Sequence, residues 1–124
     1  MDTNTVLYYL NNQLEGNAYN FVYSILLIEC NISIVNRIEI RSWNAPTTEV
    51  EREIIDFLDA CTLFDLTLDV AEKAAELRRT YRKLAMPDAI IAATAMVNNM
   101  TLVSRNDKDF QQIKHLKYIN PFRL

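Results

Sequence analysis

From Ala89 to Ser104 the chain carries no charged side chain, and this stretch follows directly on Pro87 and Asp88. Proline suits the first turn of a helix, where its missing N–H has no intrahelical partner to lose. A helix without charge on any side, as Ala89 through Val97 would be, has to be covered on most sides by other elements. The segment is therefore expected to be the central packing helix of a layered domain. Asn98, Asn99 and Thr101 leave it short of the ~20 apolar residues that span a bilayer, and the other uncharged stretch, Gly16 to Ile28, is short as well. No membrane segment is expected.

Strands and helices alternate around that helix. Thr3 or Asn4 can cap a helix to about Leu14, Gly16 and Asn17 break it, and Tyr19 to Glu29 reads as a mostly buried second helix. Ile32-Ser33-Ile34-Val35 suits a buried strand, with Asn36 capping the helix that carries Ile38, Glu39 and Ile40. Thr48-x-x-Glu51 reads as a capping box that opens an amphipathic helix with Val50, Ile54, Ile55, Phe57 and Leu58. Thr62 to Phe64 predicts a second strand, Leu68 to Lys83 a charged helix, Thr101 to Val103 a third strand, Asp107 to Ile113 a helical turn, and Lys117 to Ile119 a closing strand. This order predicts an α/β fold in one domain over residues 1–124, with a central parallel sheet and helices on both faces. Such sheets bind ligands beyond the carboxyl ends of their strands.

Residue counts remove several kinds of chemistry. Gly16 is the single glycine, which excludes the phosphate loops of nucleotide and dinucleotide binders. His115 is the single histidine and lies in a polar segment, which leaves little for a Ser-His-Asp or Cys-His mechanism. Cys30 and Cys61, without a C-x-x-C pair, are expected as buried thiols, with a disulfide as the alternative. A net charge of −3 argues against coating nucleic acid by charge alone and leaves local basic patches open. The start, Met1-Asp2-Thr3-Asn4, lacks the basic and apolar regions of a signal peptide, so a cytoplasmic location is expected. Trp43, near Ile40 and Pro46, is read as packing on an apolar surface rather than stacking on a base.

Four acids stand at expected strand ends or helix starts: Asp2, Glu39, Asp88 and Asp109. Asp88 lies at the positive end of the uncharged helix, where a carboxylate is worth ~0.3–1 kcal/mol as a structural charge alone. Glu39, between Ile38 and Ile40, either reaches outward to water or has a partner such as a cation.

The segments Asp2-Thr3-Asn4, Ile34-Val35-Asn36-Arg37-Ile38-Glu39, Met86-Pro87-Asp88-Ala89-Ile90-Ile91-Ala92-Ala93-Thr94-Ala95 and Ser104-Arg105-Asn106-Asp107-Lys108-Asp109-Phe110 together resemble the PIN-domain family, in particular the VapC-like toxins of bacterial toxin-antitoxin pairs. The resemblance runs nearly the whole chain, and its most specific part is Pro87 to Ala95. It implies a three-layer α/β/α domain that uses Mg²⁺ or Mn²⁺ to cut RNA, with Asp2, Glu39 and Asp88 as the principal acids and Asp109 as the more variable fourth. Asp107 competes with Asp109 for the fourth role. Asn4, Ser104 and Asn106 become polar helpers, and the implied partners are an antitoxin and a second copy of the chain. Clustered carboxylates suit hard cations, which activate bound water and offset charge in phosphodiester hydrolysis.

The basic run Arg78, Arg79, Arg82 and Lys83 is read either as a solvated, dipole-compensating helix end or as a phosphate contact that guides RNA to the acids. Family members carry an apolar strand ahead of the first aspartate, whereas only Met1 precedes Asp2 here. Exposed strand edges, lower stability and an α-amino group near the metal site are the expected consequences, in a domain that is shortened or a chain that begins late. The alternative function is a catalytically impaired PIN domain that binds RNA or a protein without cutting.

Overall fold

Asp2, not Thr3 or Asn4, caps the first helix of the structure, a computed structural model that describes residues 1–123. Its carboxylate accepts the Thr5 N–H at 3.1 Å, and α1 runs Thr3–Leu10. The helix ends well before Leu14 because Asn12 turns left-handed at φ 57°, a conformation that Asn tolerates better than most residues. Gly16, at φ 56°, opens α2 (Gly16–Ile28) instead of breaking a helix, since the left-handed entry needs a residue without Cβ.

The first strand, β1, is only Asn31–Ser33. Ser33 caps α3 (Ile34–Ser42), and Asn36, expected as the cap, sits at the third helical position and bonds back to Ser33. That reciprocal capping box draws Ile34 and Val35 into the helix despite their preference for strands. Thr47, one residue ahead of the expected Thr48, caps α4 (Thr48–Ala60) through the Val50 N–H. The remaining elements are β2 (Thr62–Phe64), α5 (Leu68–Thr80), α6 (Met86–Val97), β3 (Leu102–Val103), α7 (Asp107–Phe110), β4 (Tyr118–Ile119) and a 3₁₀ turn at Pro121–Arg123.

Helix α6 is the packing centre that its lack of charge predicts. Ala89, Ala92 and Ala93 are fully buried, and their small side chains let Val70, Ala74 and Leu77 of α5, together with Leu102, Phe110 and Ile113, close around it. A second core, of Val6, Ile32, Ile40, Ile54 and Leu58, lies among α1, α3 and α4, with Trp43 packed against it. Among the described residues no helix is long and apolar enough to cross a membrane.

The strands pair in parallel, as expected, but not in one sheet. β1 pairs with β2 and β3 with β4, giving two separate two-stranded ladders. Among the described residues Met1 and Asp2 bridge them: the α-amino group of Met1 donates to the Asn31 carbonyl at 3.3 Å, and the Asp2 N–H to the Val103 carbonyl at 2.9 Å. A second correction concerns the cysteines. The register sets Asn31 opposite Thr62, so the preceding residues lie side by side, and Cys30 and Cys61 are joined as a disulfide with Cα atoms 4.8 Å apart instead of standing as buried thiols.

Because Ala92 has no space around it, Ala92→Leu should overpack the α5–α6 contact and destabilise the fold by about 1–3 kcal/mol. Thermal unfolding checks this as a fall in Tm on the order of 5–10 °C.

Candidate active site

Each of the four acids comes from a different part of the fold. Asp2 is the cap of α1, Glu39 lies on α3, Asp88 is in the first turn of α6 and Asp109 is on α7. Asp2 is only 6% exposed, and its Oδ2 accepts the Ser104 hydroxyl at 2.6 Å. Ser104 follows β3 directly, is fully buried, and its Oγ also accepts the Asn106 N–H at 2.9 Å. Asn106 caps α7 by accepting the Asp109 N–H at 3.3 Å, and its amide donates to the Asp109 carboxylate at 2.7 Å. Asp2, Ser104, Asn106 and Asp109 thus form one polar thread. On the other flank the Thr3 hydroxyl donates to Glu39 Oε1 at 2.6 Å and accepts from the Asn36 amide at 3.1 Å.

Asp88 joins the two flanks. Partial burial raises its carboxyl first, and the charges of Asp109, Glu39 and Asp2, with a hydrogen bond shared with Asp109, add to the rise; together they push its pKa up to about 6. All four acids therefore act on one region at the start of α6. Two of the expected helpers are not brought there in the same way. Asn4 faces solvent, and Thr3 beside it holds Glu39. Asp107 turns away, bonded by the Tyr118 hydroxyl at 2.6 Å, by the Asn120 amide at 3.2 Å and by Arg123 at 2.9 Å, which hold its carboxyl below the usual range with the tyrosine bond foremost. Asp109 is the one of the pair that faces the cluster. Thr3 and Asn36 are site residues that sequence reasoning missed, although a hydroxyl and an amide beside two of the acids were legible in it.

Arg79, Arg82 and Lys83 are exposed, and Arg78 donates through Nε to the Leu84 carbonyl at 3.3 Å. Among the described residues none of these four forms an ion pair. The three arginines rim a cleft of about 720 Å³ between α5 and α6 with Met86 and Ile90, and Asp88 is not part of its lining.

As placed, no three acid, histidine or cysteine side chains among the described residues stand close enough to hold one ion between them. The donor set still fits a hard divalent cation. It is made of carboxylate oxygens whose mutual repulsion no basic side chain relieves at Asp88, and magnesium ordinarily takes only one or two carboxylates and keeps several waters.

The pKa of Asp88 carries a sign. With about 6 in the fold against 3.8 ordinarily, the folded state holds more protons between those values, so the contribution of Asp88 to stability falls as pH rises through that window and stays unfavourable above it. In metal-free buffer Asp88→Asn should raise Tm by a few degrees at pH 7–8 and change it little near pH 4, as a pH series of melting curves would show.

Known proteins resemble this chain over nearly its whole length. The family model described as PIN domain matches residues 1–116. Ribonuclease VapC2 of Rickettsia felis is 30% identical, over 94% of this chain and 92% of that protein. Among solved structures, a toxin-antitoxin complex from Klebsiella pneumoniae superposes with a TM-score of 0.79 at 27% identity, covering 97% of this chain and 94% of the other. VapBC2 from Rickettsia felis, bound to a DNA fragment from its promoter, shares the fold at TM-score 0.79 and 24% identity, covering 96% and 95%. By the extent of these matches and the motifs that carry them, the chain belongs to the PIN-domain family.

Proposed function

We propose that this chain is an Mg²⁺- or Mn²⁺-dependent endoribonuclease of the VapC kind, the toxin of a type II toxin-antitoxin pair, acting in the cytoplasm as a homodimer and restrained by its antitoxin. The observation that carries the reading is the convergence of Asp2, Glu39 and Asp109 on Asp88, carboxylates from distant parts of the chain, three of whose charges raise the pKa of the fourth. Ribonuclease VapC2, similar over nearly the full length, is named for the same activity.

In this reading Asp88, Asp2, Glu39 and Asp109 hold the ion. When bound, the ion would supply a Lewis acid for the phosphate and a lowered pKa for water. The chain's own groups do the positioning: Ser104 and Thr5 fix both oxygens of Asp2, Asn106 orients Asp109, and Thr3 orients Glu39. Arg79 and Arg82, on the rim of the cleft between α5 and α6, contact the RNA phosphates. The antitoxin covers the apolar face of α2, where Leu27 and Ile28 are 69% and 84% exposed beside the stacked rings of Tyr19 and Tyr23.

A second reading, a PIN domain that binds RNA or a protein without cutting, draws on the spacing of the acids, none of whose triplets is close enough to share an ion directly. One experiment separates the two. Incubated with structured RNA, the chain should cleave with millimolar Mn²⁺ and not with EDTA, and Asp88→Asn should lower the rate roughly 100-fold or more while keeping the fold. Metal should also raise Tm. Binding without cleavage at any metal concentration decides for the second reading.

Reversal of both rim charges, Arg79→Glu with Arg82→Glu, should weaken RNA binding about tenfold near 0.1 M salt and flatten the log-log salt slope by roughly 1.4, the value for two contacts on single-stranded RNA. Unchanged affinity and slope would leave the arginines as a solvated helix end.

A further inference from the structure

Helix α5 turns Val70, Ala74 and Leu77 into the core, and the charges on its outward side are sorted along the axis. Asp69 and Glu72 stand toward its start, and Arg78, Arg79 and Arg82 stand at or just past its end. Between them Lys73 and Glu76 are joined to each other at 3.6 Å. Glu72 and Arg79 are exposed, and among the described residues neither forms an ion pair. They cannot pair within one helix, because side chains meet there at a spacing of three or four residues and these two are farther apart.

The same side of α5 is otherwise small or apolar. At ~3.6 residues per turn Leu68, Glu72, Ala75 and Arg79 fall on one side of the helix. Ala71 and Ala75 line the cleft against α6, where their short side chains permit another helix to lie close. Leu68, at the acidic end, is 75% exposed, and Met86, on the lining at the basic end of the cleft, is 57% exposed.

We infer that α5 is the surface on which two copies of this chain meet, packed antiparallel about a two-fold axis beside Ala75 and Glu76. In that register Glu72 of each copy stands opposite Arg79 of the other, so symmetry makes the ion pair twice. Farther out, Asp69 falls opposite Arg82. Leu68 of each copy comes over the end of the other's cleft, where Arg82 and Met86 line it, and apolar surface on both copies is covered. A parallel pairing would set arginine against arginine, so charge selects the antiparallel one. The inference rests on the homodimer reading above and adds the face that makes the dimer. A guanidinium offers five donors, so the bond from Arg79 to Glu72 leaves donors for a phosphate.

Sedimentation velocity of the full chain over a concentration series, at about 0.05 M salt to limit screening, reads the association directly. Glu72→Arg turns two attractions into two repulsions and should weaken association at least about tenfold, and Arg79→Glu should do the same. Combined, the two substitutions restore opposite charges across the axis with the signs exchanged, and the dissociation constant should return to within about threefold of the unaltered chain. Leu68→Asp should weaken association at least about tenfold without lowering Tm, since the side chain is exposed in the single copy. A dimer that Glu72→Arg leaves unchanged, or a double variant as weak as the single ones, would overturn the inference and leave the homodimer reading standing. A chain that stays monomeric at every concentration would overturn both.

Discussion

Asp2 is a carboxylate taken almost wholly out of water, and the arrangement of its donors fixes much of what surrounds it. A buried, unpaired carboxylate would be prohibitively unfavourable, so its two oxygens demand the Thr5 N–H and the Ser104 hydroxyl. The first of these starts α1, and the second fastens that start to the end of β3. The backbone of the same residue bonds to Val103, so the direction of the chain as it enters the helix is set as well as its position. From Ser104 the constraint passes to Asn106, and from Asn106 to both the start of α7 and the carboxylate of Asp109. One acid thereby orders a second, on a different helix, without touching it.

Asp88 reaches the same region by another route. It rides on α6, whose fully buried alanines allow close approach, so its place is set first by the packing of that helix. Burial and the like charge of its neighbours raise its proton affinity.

How much of this was legible in the sequence depends on what set each feature. Thr62–Phe64 and the uncharged helix after Pro87 were readable because local pattern decides them. The starts of α3 and α4 shifted by a few residues because competing Ser, Thr and Asn side chains stand close together, and only the folded backbone selects between Ser33 and Asn36 or between Thr47 and Thr48. The four acids could be picked out by type and motif, but their spacing is a tertiary property. What distinguishes Asp107 from Asp109 is the trio of Tyr118, Asn120 and Arg123, remote from the turn in sequence. The split of the sheet and the joining of Cys30 to Cys61 follow from strand register, which no local signal encodes.

Ile32 of β1 belongs to one main core and Leu102 of β3 to the other, and three of the acids divide between the same parts of the fold. Glu39 rides on α3, beside the core shared by α1, α3 and α4, whereas Asp88 rides on α6 and Asp109 on α7, beside the core centred on α6. Asp2 is pinned across the seam. A ligand that draws the carboxylates together would thereby tie the two cores to each other and act as a clasp on the fold.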